Sequence, residues 1–194
     1  MVKTLLDKGY AYVEGGDVFY SVERFKDYGR LSGRRLEDRK AGSRIAVDER
    51  KRHPMDFALW KSSKPGEPQW PSPWGPGRPG WHIEDTAITE TYFGPQYDIH
   101  GGALDLIFPH HENEIAPSEA ATGKKFVNYW MHCEHLLVEG KRMGKRFGNY
   151  YTVQDLTKKL KHDPRAVRYL LISTHYRQQF NFTFEGLEAA KNAV

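Results

Sequence analysis

The chain has 194 residues, 39% hydrophobic and 28% charged, with Lys+Arg 29 against Asp+Glu 25 for a formal charge of +4. That length holds one ordinary domain or somewhat more, with a sizeable core, and so small a charge permits a polyanionic partner without requiring one. Cys133 is the single cysteine, which excludes an internal disulfide and points to a reducing, cytoplasmic home; no apolar run reaches the roughly 18 residues of a membrane span.

The first eight residues read as the end of an amphipathic helix stopped by Gly9, with no signal-peptide pattern. Tyr10–Val13 and Asp17–Ser21 flank Glu14-Gly15-Gly16, a hairpin signal. Residues 31–52 are dense in charge and read as solvated surface. Pro54–Lys61 turns apolar. Lys64–Gly80 then holds six prolines, four glycines and two tryptophans, which excludes helix and central strand; Trp70 and Trp74 are expected to pin it as an ordered loop. From Trp81 on, strand-like runs (WHIEDTAI, YDIHGG, MHCEHLLVEG) alternate with a helix-like one (HENEIAPSEAATG), which suggests an α/β layer. Residues 152–194 read as helical, with Pro164 early in one helix and Thr183 capping another.

Three constellations could carry chemistry. In FPHHENEIAPSEA, His110 and Glu114 are four apart, so they share a helix face. An imidazole and a carboxylate there suit a zinc ion, which wants four ligands; alternatively they are a polar helix start favoured by the helix dipole. In DIHGGALDL, Gly101-Gly102 read as a break between strand and helix where a ligand can approach the backbone, and Asp105 could accept from ribose hydroxyls. The plain reading is a common glycine turn. In EGKRMGKRFGNY, Lys141, Arg142, Lys145 and Arg146 surround Gly144. Such a loop could close on a polyphosphate, or be a solvated basic turn.

Read together, PGEPQWPSPWGPGRPGWHIE, DIHGGALDLIFPHHENEIAPSEA, NYWMHCEHLLVEGKRMGKRFGN and DPRAVRYLLISTHYRQQFNFTFEGLEAA resemble cysteinyl-tRNA synthetase, a class I aminoacyl-tRNA synthetase, in order and over nearly the whole chain. The resemblance implies an α/β fold: the second half of a class I nucleotide-binding, Rossmann-like domain, with the preceding insertion and a helical C-terminal segment. It divides the chain into an insertion at 1–79, the second half of the catalytic domain at 80–150, and helices at 151–194. It implies ATP with Mg, a zinc ion that recognises the substrate thiol, and cysteine and tRNA as partners. Trp81 would line the cysteine pocket. Asp85, His110 and Glu114 would hold the metal, with Asp85 reaching it from a strand that begins at Trp81. Gly102 and Asp105 would meet the ATP ribose, and Met143 and Lys145 the ATP phosphates, with Lys145 catalytic.

The departures are informative. The family's GWHIEC reads GWHIED here, so Asp85 stands where the family has a zinc-binding cysteine. The family's KMSKS reads Arg142-Met143-Gly144-Lys145-Arg146, without either serine. The family's HIGH motif and fourth zinc ligand are not in this sequence, and the resemblance implies that the tRNA-binding helices lie beyond it. The expectation is a synthetase catalytic fragment, incomplete alone, that self-associates or joins a complementing HIGH-bearing fragment. Two other readings are a noncatalytic paralogue acting as a binding or regulatory module, and the ligase that joins cysteine to an amino sugar in mycothiol synthesis.

Overall fold

Two glycines close the first hairpin. In the computed structural model, which describes residues 1–34, 36 and 48–194, Gly15 (φ 58) and Gly16 (φ 82) are left-handed, as a two-residue turn between twisted strands demands. They join β1 (Ala11–Glu14) to β2 (Asp17–Tyr20), with Glu14 opposite Asp17 and Ala11 opposite Tyr20. The helix before it, α1 (Val2–Asp7), buries Leu5 and ends before Gly9 (φ 75). Of the charged segment read as solvated surface, residues 35 and 37–47 lie outside the described residues.

β3 (Phe57–Ser62) and β4 (Gly77–Pro79) complete an antiparallel sheet in the order β1-β2-β3-β4. The proline-rich stretch thus supplies only a short edge strand, where a missing N–H costs least. Trp74 meets Trp60 edge-on at 6.2 Å and packs on the core. Trp70 differs from the expectation: its ring is exposed, and only its backbone is held, paired with Gly77.

The chain divides into two compact units, Met1–His100 with Asp105–Trp130, and Gly101–Leu104 with Met131–Val194. In the first, α2 (Trp81–Phe93) and α3 (Glu112–Thr122) add Ile83, Ala116 and Ala120 to a core shared with Leu5, Val18, Tyr20, Val22, Phe57 and Leu59. Gly80 starts α2 hard against the sheet. Its N–H donates to the Leu59 carbonyl at 2.9 Å, and a Cβ there would sit 2.0 Å from the Ala58 carbonyl oxygen.

α2 corrects the sequence reading, which made WHIEDTAI a strand. Its tryptophan, isoleucine and threonines favour strands on average. The threonine hydroxyls bond back along the helix instead, Thr86 to the His82 carbonyl at 2.9 Å, Thr89 to Asp85 at 3.0 Å and Thr91 to Ala87 at 2.7 Å. Packing of Ile83 and Thr86 into the core decides the rest.

β5 (Tyr97–Ala103) and β6 (Val127–Cys133) pair in a two-stranded sheet. Here the reading of Gly101-Gly102 as a break is also corrected: neither takes a positive φ, and β5 runs through both to Ala103.

In the second unit, β7 (Leu137–Val138) lies between β8 (Lys141–Arg142), antiparallel, and β9 (Asn181–Phe182), parallel. The expected helices form: α4 (Pro164–Ile172) is capped by the Asp163 carboxylate, and α5 (Phe184–Asn192) by the Thr183 hydroxyl, which accepts from Gly186 N at 3.0 Å. Val138, Leu156, Val167, Phe182 and Leu187 form their core. The short β9 was not foreseen. Among the described residues no helix is long and apolar enough to cross a membrane.

Candidate metal centre

The start of α3 is polar in sequence yet buried from His111 to Ser118. Each buried carboxylate therefore needs a partner. Glu112 has two: Oε2 accepts from Gly29 N at 3.0 Å and Oε1 from Ser32 N at 2.7 Å. Asn113 Oδ1 accepts from the Tyr28 hydroxyl. At the other end of the helix, Lys8 Nζ donates to the Ala121 carbonyl at 2.7 Å, where a cation complements the helix dipole. These contacts fix the axis and rotation of α3.

Glu114 is the exception. It is fully buried, and neither carboxylate oxygen accepts a hydrogen bond. Yet Oε1 lies 2.8 Å from His110 Nε2, and His110 Nε2 lies 3.1 Å from Asp85 Oδ2. The three side chains offer donor atoms within 4.8 Å of one another. A buried carboxylate without hydrogen bonds is costly, and a cation placed among one nitrogen and two carboxylates removes that cost. The donor set fits a divalent metal such as zinc and leaves a coordination position open.

α2 brings Asp85 to this point. Helical spacing puts Trp81 and Asp85 four apart on one face, and both meet His110: the Trp81 ring stacks on the imidazole with centroids 3.9 Å apart. Asp85 thus reaches the cluster from a helix, not from the strand expected.

Sequence reasoning missed three histidines here. His82 Nδ1 lies 2.6 Å from His110 Nδ1; burial, then its neighbour His110, pushes His82 down to about 4. His100 Nδ1 faces Glu114 Oε2 at 3.6 Å. Burial holds His100 below its ordinary range against the opposing pull of Glu114. His100, His111 and Glu114 form a second group of possible metal donors, but the Tyr97 hydroxyl already engages His100 Nδ1. That makes it the poorer set. Treating WHIEDTAI as a helix would have exposed the first omission, since His82 and Asp85 are then three apart on one face.

The residues assigned to nucleotide lie elsewhere on the chain. Gly102 is within β5, and Asp105 is exposed in the short 3₁₀ turn Leu104–Leu106. In the second unit, Met143 packs against the core and Lys145 is exposed in the turn Lys145–Phe147, its Nζ 5.5 Å over the Tyr150 ring. Gly144 N donates to Asn149 Oδ1 at 3.0 Å, and Asn149 Nδ2 donates to the Arg142 carbonyl at 3.2 Å, so a side chain braces this basic loop.

The fold has a counterpart among solved structures. An arginyl-tRNA synthetase from Campylobacter jejuni superposes with a TM-score of 0.55 over 96% of this chain and 33% of its own, at 13% identity, a likeness of fold alone. The chain belongs to the tRNA synthetases class I (C) catalytic domain family, whose model matches residues 1–192. It is 54% identical over 195 residues to a cysteine–tRNA ligase of Stutzerimonas stutzeri (strain A1501), covering 100% of this chain and 42% of that protein. It is 55% identical over 194 residues to another from Carboxydothermus hydrogenoformans, covering 41% of it. The chain thus spans less than half the length of these relatives.

Proposed function

We propose that this chain is part of the catalytic domain of a cysteine–tRNA ligase, and that Asp85, His110 and Glu114 hold a divalent metal facing the substrate thiol. The observation that carries the metal reading is Glu114, buried with both oxygens lacking a hydrogen-bond donor and with His110 and Asp85 converging on it. When bound, the metal supplies a Lewis-acidic position for sulfur. The protein groups do the rest. Glu114 and His110 are fixed by burial, and Trp81 covers the imidazole and walls the pocket.

The reaction is ATP-dependent. A cysteine carboxylate oxygen attacks the α-phosphorus of Mg-bound ATP and pyrophosphate leaves; a tRNA 3′-terminal hydroxyl then attacks the acyl carbon and AMP leaves. Gly102 and Asp105 serve the ribose, Met143 positions the basic loop, and Lys145 stabilises charge on the phosphates. Residues 1–79 act as an insertion, 80–150 as the half-site, and 151–194 as its helical continuation. The work is cytoplasmic. These 194 residues on their own are expected to be incomplete, gaining activity with a complementing HIGH-bearing segment. Gly144 and Arg146 in place of the family's serines favour a second reading, a noncatalytic module that keeps metal and fold.

Metal binding tests the centre. At zinc a hundredfold above Kd, the chain should gain about 2.7 kcal/mol, a rise in Tm of roughly 5–10 °C for a protein of this size. Glu114→Gln should lose that rise. An equal rise in the variant would overturn the assignment. Cysteine-dependent ATP–pyrophosphate exchange then separates the two readings: activity upon adding a HIGH-bearing segment, lost in Lys145→Ala, supports the ligase, and silence under all conditions supports the module.

A further inference from the structure

We infer that Tyr97 is a positioning residue that holds His100 out of the metal's ligand set, so that His110 is the one imidazole at the metal position. The inference rests on the reading of Asp85, His110 and Glu114 as metal ligands and adds the group that limits them to three.

Glu114 is common to both groups of possible donors. Its Oε1 lies 2.8 Å from His110 Nε2, and its Oε2 lies 3.6 Å from His100 Nδ1. Neither oxygen accepts a hydrogen bond, so one buried carboxylate faces an imidazole on each side. Zinc held by four protein donors is a closed structural site, whereas three donors leave a position for a substrate atom. A second imidazole beside the shared carboxylate is therefore the natural fourth ligand, and a site that takes substrate sulfur must keep it away. The structure does so: Asp85 and His110 belong to one group and His100 to the other, and no group among the described residues contains all four.

Tyr97 acts from the start of β5. Its hydroxyl engages His100 Nδ1, the nitrogen that faces Glu114. A hydroxyl both donates and accepts, so Nδ1 is occupied whichever way that bond runs, and it must leave the bond to reach a metal. Tyr97 is itself fixed. Its N–H donates to the Phe126 carbonyl at 3.1 Å, its ring meets Phe126 edge-on with centroids 5.2 Å apart, and Phe93 lies 5.6 Å away. The His100 ring stacks on Trp130 at 4.7 Å with planes 28° apart. A stack restrains tilt and leaves the ring free to turn within its plane, so the hydroxyl supplies the restraint that Trp130 does not. Tyr97→Phe removes that oxygen alone and keeps the ring.

X-ray absorption of the zinc-loaded chain, whose outer-shell scattering counts bound imidazoles, tests the inference. The wild type should show one imidazole, and folded Tyr97→Phe two, with tighter zinc binding. Adding His100→Ala to Tyr97→Phe should return the count to one. His100→Ala alone should keep the count at one, a reading that holds even where Tyr97→Phe fails to fold. Two imidazoles in the wild type overturn the inference, and so does a count of one in folded Tyr97→Phe; both leave the metal reading standing. Loss of the imidazole in His100→Ala overturns it as well, by making His100 the ligand in place of His110. Zinc bound by neither the wild type nor Tyr97→Phe overturns the metal reading, and the role of Tyr97 falls with it.

Discussion

The start of α3 and the basic loop after β8 both carry dense charge, and the fold treats them in opposite ways. At α3, Glu112 and Glu114 are buried, and the contacts of Glu112 with Gly29 and Ser32 hold the helix so that Glu114 points at His110. At the loop, Lys145 and Arg146 are exposed, and the Asn149 side chain braces the backbone. Electrostatics in the first region acts at low dielectric with its geometry already set; in the second it is screened until a ligand excludes water. One region is prepared by folding, and the other is left in water.

Removing the brace of the buried region gives the largest expected effect. Glu112→Ala leaves the N–H groups of Gly29 and Ser32 without their acceptor, and should cost about 2–3 kcal/mol, read as a lower denaturation midpoint. A loss below about 0.5 kcal/mol, the range of ordinary surface changes, would erase the contrast between the two regions.

A smaller effect sharpens the chemistry of the prepared region. A thiolate is softer than a carboxylate, so Asp85→Cys should tighten zinc binding, and each tenfold gain corresponds to about 1.4 kcal/mol. Adding His110→Ala should abolish the gain, since the two residues couple through a shared ion. Unchanged affinity in Asp85→Cys, by competition with a chromophoric chelator, would mean that the three side chains do not converge in solution.

The smallest effect belongs to the loop. Lys145→Ala should change stability by less than about 0.5 kcal/mol, while abolishing any ATP–pyrophosphate exchange obtained with a complementing segment. A loss of stability comparable to that of Glu112→Ala would show that the loop, too, is built into the fold.

Much of this arrangement was legible because local chemistry and fold agree. Gly15-Gly16 specify a hairpin, Pro164 and Thr183 specify helix starts, and His110 and Glu114 share a face by spacing alone. Where local preference and packing conflict, the reading failed. The threonines of α2 favour a strand until their hydroxyls find carbonyls one turn back, and this hid the shared face of Trp81, His82 and Asp85. Burial was the other missing quantity. Nothing in HHENE says that its carboxylates face inward; that follows from Tyr20, Tyr28, Gly29 and Ser32, which come from far away in the sequence to cover α3.

The half-open position of Asp85 bears on how the proposed ion would come and go. Its side chain is 37% exposed, against 7% for His110 and 1% for Glu114, so of the three proposed donors it is the one that solvent reaches most. Loading and escape of the proposed ion would then follow rotamer motion of a solvated side chain, far faster than any opening of the core. An ion held as proposed would be gripped from the inside by two sealed ligands and would meet the surrounding solution at the third.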